Sequence, residues 1–96
     1  MLKKAAHAFT FNEAISLEIA CATQAEIDYF WTKLTANGGE EGPCGWLKDK
    51  FGVSWQVVPT VLYDMLSDPD PSKSQRVTRV LFQMKKLDIN MLQQAY

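Results

Sequence analysis

Along AISLEIAC the apolar residues Ile15, Leu17, Ile19 and Cys21 alternate with Ser16, Glu18 and Ala20. A two-residue period of this kind predicts a strand buried on one face. Thr23 to Glu26 follow as a capping box, in which the Thr hydroxyl and the Glu carboxylate can each satisfy an orphan amide at a helix start. Ile27, Phe30, Trp31 and Leu34 then recur at i, i+3, i+4 and i+7, and Asn37-Gly38-Gly39 supplies left-handed residues that end helices. The pattern predicts a helix over 24–36.

Beyond it the chain reads GGEEGPCGWLKDKFGVSWQVVPT. Gly42-Pro43 suits only a short or edge strand, because Pro lacks the amide a central ladder needs. Trp46-Leu47-Lys48 and Val53 to Val58 flank Asp49-Lys50-Phe51-Gly52, whose Asp and Gly suit a tight reversal, so a hairpin is expected. Pro59 ends the last strand, and Thr60 is expected to cap a short helix through Ser67. Asp70-Pro71 reads as an N-cap with Pro at the first helical position. Val77, Val80, Leu81 and Met84 form the next apolar stripe, closing at Lys85-Lys86, and Asp88 caps a last helix bearing Ile89, Leu92 and Ala95.

The order is strand, helix, three strands, three helices: an α+β chain with one βαβββ unit and C-terminal helices. We divide it into an N-terminal tail 1–8, the βαβββ unit 9–60 and a helical extension 61–96. At 96 residues only one core can form. A net charge of −1 gives no long-range pull toward nucleic acid or anionic lipid, and no apolar run approaches the length of a membrane span, about 20 residues. No nucleic-acid or membrane partner is therefore expected. The start, with Lys3, Lys4 and then AAHAFTFNE, builds no signal-peptide core, so a cytoplasmic location is expected. Cys21 and Cys44 form neither a CxxC pair nor a dense framework and read as free thiols.

Candidate chemistry is thin. His7 is the only imidazole, and its tail position gives it no partner by spacing. Cys44 lacks an adjacent activating base or cation and reads as a packing residue. Gly38, Gly39, Gly42 and Gly45 follow a helix and precede strands, so they do not form a phosphate cradle at a helix start. Lys73, Arg76, Arg79 and Lys86 form a basic face diluted by acids at 68, 70 and 88, and read as a solvated surface. Glu40-Glu41 has no carboxylate fixed opposite it for glycosidase-type chemistry.

The βαβββ pattern with its Gly-rich approach, Asp-x-x-Gly reversal and Trp55-Gln56 strand resembles a module of the vicinal-oxygen-chelate superfamily, the glyoxalase/bleomycin-resistance/dioxygenase group. FNEAISLEIACATQAEIDYFWTKL, GGEEGPCGWLKDKFGVSWQVVP and the LSDPDPSKSQRV tail together resemble the second module of PhnB-like proteins, a branch labelled 3-demethylubiquinone-9 3-methyltransferase, over roughly residues 9–96. Two such modules usually curve around one pocket, so the resemblance implies that a homodimer completes the fold. Metal-using relatives place a Glu ligand where this chain has Gln56, and a His on the first strand, which this chain lacks. A neutral amide offsets none of a cation's charge, so no cofactor and no catalytic divalent metal are expected. The methyltransferase label finds no glycine-rich nucleotide-binding turn to support it.

Strand parity then suggests the candidate site. Ile15, Leu17 and Ile19 are expected to meet the helix stripe on the convex side, which turns Ser16 and Glu18 to the concave side. The family template puts Gln56 there too, with Ser54 and Val58, and sends Trp55 under the helix. Trp46 can stack on a ligand or fill the core. The candidate ligand-binding residues are thus Ser16, Glu18, Trp46, Ser54 and Gln56, with no catalytic residue assigned. The leading expectation is a homodimer holding a small organic ligand; the alternatives are an enzyme whose site assembles across the dimer and an interaction subunit that completes a partner carrying the other module. The same polar groups can equally pack as a seam between two copies.

Overall fold

Alternation carries through to strand β1 (Ser16–Cys21), and the capping box starts helix α1 (Gln24–Thr35). The computed structural model describes residues 12–96; the expected tail 1–8, with His7, lies outside the described residues. The Thr23 side chain accepts from the Glu26 amide at 3.2 Å, while the Glu26 carboxylate reaches back to the Ala22 amide at 3.1 Å, one residue earlier than in a standard capping box. Asn37 and Gly38, both at positive φ, end the turn after α1.

Strands β2 (Glu40–Glu41), β3 (Trp46–Lys48) and β4 (Ser54–Pro59) complete a four-stranded sheet in the order β1-β4-β3-β2. β1 runs parallel to β4, with Ser16 opposite Ser54 and Glu18 opposite Gln56; β3 is antiparallel to both β4 and β2. Asp49 closes the β3–β4 reversal: one carboxylate oxygen accepts from the Phe51 and Val53 amides at 2.9 and 3.1 Å, the other from the Trp55 indole at 2.9 Å, and Gly52 adopts φ +84°.

Helices α2 (Thr60–Leu66), α3 (Pro71–Leu81) and α4 (Ile89–Ala95) follow. Asp70 and Asp88 cap α3 and α4 through their side chains as the sequence implies. Thr60 does not cap α2. Pro59 is still paired in β4, so the strand passes straight into the helix and Thr60 becomes its first residue. α3 also stops at Leu81 instead of continuing through Met84, because the Met84 and Lys85 carbonyls turn to accept the Cys44 and Gly45 amides, each at 2.8 Å.

Two apolar clusters form on opposite faces of the sheet. Under α1 lie Cys21, Ile27, Trp31, Leu47 and Val57, with Phe30, Leu34 and Trp55 at their margin. On the other face Val58 is buried with Leu62, Met65, Val77, Met84, Leu87 and Leu92 from the tail. Each fully buried Leu, Ile or Val contributes about 1.5–3 kcal/mol. Gln24 fastens the tail to α1 by donating to the Leu87 carbonyl at 3.0 Å and accepting from the Ile89 amide at 2.8 Å, beside a Lys86–Asp28 ion pair of 2.8 Å.

One expectation about the convex face is corrected. Ile15 and Leu17 are 75% and 48% exposed, and only Ile19 and Cys21 of β1 join the cluster beneath α1. The helix lies mainly over β4 and β3, whereas β1 is an edge strand whose early residues extend past its cover. Both cysteines are free thiols. Among the described residues no helix is long and apolar enough to cross a membrane.

Candidate functional site

Parity and register bring all five sequence-selected residues to one face, in two rows across the sheet. Glu18, Gln56 and Trp46 are successive partners in one row, and Ser16, Ser54 and Lys48 in the next, extended by Glu40 opposite Lys48. They do not share one cavity. Gln56 Nε2 donates to Ser16 Oγ at 3.0 Å, so these two side chains are joined to each other. Glu18 accepts from the Tyr63 hydroxyl, which reaches it from α2. The tail that buries Val58 therefore occupies the end of the face that sequence parity leaves open.

What remains open is a cleft of about 440 Å³ toward the β2 edge, lined by Trp46, Lys48, Ser54, Glu13, Glu40 and Pro43 among others. Lys48 Nζ lies 2.9 Å from Glu13, which raises the lysine pKa and lowers that of Glu13. Glu41 turns to the opposite side to accept from the Trp31 indole at 2.9 Å. Ser54 is 1% exposed, and its hydroxyl has no hydrogen-bond partner among the described residues. Buried hydroxyls are nearly always partnered, so this one marks the cleft floor as a place for polar contact.

Sequence reading found Trp46 and Ser54 but missed Glu13, Glu40 and Lys48. Lys48 shares the parity of Trp46 and was within reach of the same argument. Glu40 needed the β2 register, which two residues of strand do not announce. Among the described residues no three His, Cys, Asp or Glu side chains converge as a metal site requires.

Tyr63 gives the site a pH dependence. Burial and then the Glu18 carboxylate push its pKa up to about 12. Since the unfolded value is about 10, the folded state holds this proton more tightly, so stability is whole below pH 10 and falls as pH rises toward 12. Tyr96, raised first by its hydrogen bond to Asp68, acts in the same direction. With Tyr63 44% exposed, solvent screening limits its share to about 1 kcal/mol or less. Urea unfolding at pH 9 and pH 11 should show this drop, reduced but not abolished in Tyr63→Phe.

The sequence profile of 3-demethylubiquinone-9 3-methyltransferase matches residues 2–58, more than half of the chain. The chain belongs to the 3-demethylubiquinone-9 3-methyltransferase family. The match ends within β4, so the tail helices lie outside it, a narrower reach than the resemblance over 9–96 implied. A PhnB protein from Bacillus cereus of known structure is 39% identical, over 56% of this chain and 49% of that one, with a TM-score of 0.49. This family member thus spans about half the length of that relative. No curated protein matches it.

Proposed function

We propose that this chain is a PhnB-like small-molecule-binding protein that works as a homodimer and holds no catalytic divalent metal. The observation that carries the reading is the cleft, which joins the aromatic Trp46 to a few polar groups, including a Ser54 hydroxyl without a partner among the described residues. That composition and a volume near 440 Å³ suit a small organic ligand. Gln56 in the place of a carboxylate supports a binding role over a metal-centred reaction, since a neutral amide brings no negative charge to a cation. Two free thiols fit a reducing compartment, so we place the protein in the cytoplasm.

The dimer reading draws on β1. It is an edge strand of six residues with Ile15 and Leu17 exposed beside it, and uncovered apolar edges of this kind invite pairing. Light scattering at high micromolar concentration should give a mass of twice 10.9 kDa, and Leu17→Lys should shift it toward one chain. A strictly monomeric parent would remove the dimer. For the ligand, a thermal-shift screen of small aromatic and carbonyl compounds should find binders that raise the melting temperature of the parent and not of Trp46→Ala. If Gln56→Leu and Ser16→Leu alter only dimer strength, and no compound depends on Trp46, this face is a seam between copies.

A further inference from the structure

We propose that the cleft beside Trp46 selects small organic cations, primary or secondary ammonium ions with an apolar body. The inference rests on the cleft reading above and adds the charge of the ligand. Three ionisable side chains face the cleft, Glu13, Glu40 and Lys48, so two negative charges stand against one positive. The single lysine is already held by Glu13 at 2.9 Å. Glu41 borders the cleft but turns its carboxylate to the opposite face, where it accepts from the Trp31 indole. Glu40 is exposed and stands opposite Lys48 in the β2–β3 ladder, with no ion pair of its own among the described residues. The field in the cleft is therefore negative even with Lys48 in place.

Two further groups narrow the ligand. The Trp46 indole face attracts cations through its quadrupole and also covers apolar surface. The buried Ser54 hydroxyl lacks a partner among the described residues and can accept a hydrogen bond, as can the Glu40 carboxylate. A ligand that satisfies both must bring several hydrogen-bond donors, which an ammonium has, a single hydroxyl does not, and a carboxylate lacks. An anionic ligand would have to draw Lys48 away from Glu13 and remain beside the Glu40 carboxylate.

The test titrates the whole chain in low-salt buffer with 2-phenylethylamine, 2-phenylethanol and 3-phenylpropionate, followed calorimetrically and by Trp fluorescence. The amine should bind about tenfold or more tighter than the alcohol, with the carboxylate weakest, as charge-assisted bonds and a cation–π contact imply. Raising the salt should weaken the amine and leave the alcohol unchanged. Glu40→Gln, at an exposed position that leaves the fold intact, should reduce amine affinity about five- to tenfold and spare the alcohol. Ser54→Ala should weaken the amine as well. Equal binding of amine and alcohol, or preference for the carboxylate, overturns the cation inference while the cleft reading stands. Failure of all three to bind at millimolar concentration overturns both.

Discussion

Trp31→Ala is expected to lower the free energy of unfolding by about 3–5 kcal/mol, the usual cost of removing a large aromatic from a core. Trp31 is 5% exposed beneath α1, packs with Ile27, Leu47 and Val57, and donates its indole N–H to Glu41. The substitution leaves a cavity between helix and sheet and frees the carboxylate that ties β2 to α1. A domain of this size has about 5–14 kcal/mol in total, so the loss is a large fraction of it. Urea denaturation followed by far-UV circular dichroism measures the change. Trp31→Phe, which keeps most of the apolar volume, should cost about 1–2 kcal/mol. A loss below about 1 kcal/mol in Trp31→Ala would mean that α1 does not rest on the sheet through this residue.

Leu87→Ala should cost about 2–5 kcal/mol, and its effect should spread unevenly. Leu87 is fully buried in the tail cluster, and its side chain lies where a Cβ on Gly45 would come within 3.0 Å of it. The same residue gives its carbonyl to Gln24. Truncation therefore loosens the contact between tail and sheet while the cluster beneath α1 stays packed. Hydrogen exchange should show protection falling first in α2, α3 and α4 and least in β4 and α1. Uniform loss across the chain would instead make tail and sheet a single cooperative unit with no softer joint between them.

Local signals were read directly from the chain. The alternation in β1, the capping box of α1, the Asp49 reversal and the Asp-Pro start of α3 each depend on residues a few positions apart, and each occurs in the structure. Parity placed Ser16, Glu18, Ser54 and Gln56 on one face for the same reason. Long-range choices escaped that logic. Nothing near Met84 announces that its carbonyl will turn from α3 to Cys44, and nothing near Tyr63 announces its reach to Glu18. Ile15 and Leu17 look like core residues until the position of α1 over β3 and β4 is known. The five candidates are split between the cleft and the tail for the same reason, since parity says which face a side chain joins but not what else covers that face.

The parallel pairing of β1 with β4 imposes a timetable on the chain. α1 and the β3–β4 hairpin are built from neighbours and can form as soon as their residues exist, whereas β1 has no strand to join until Ser54 to Pro59 have been made. Contacts between distant residues must first meet the entropy of closing the intervening loop, so they come late in folding. Of these four strands the one synthesised first is thus the last to be sheltered, and in the interval its row of Leu17, Ile19 and Cys21 is open to any other chain with an unpaired edge.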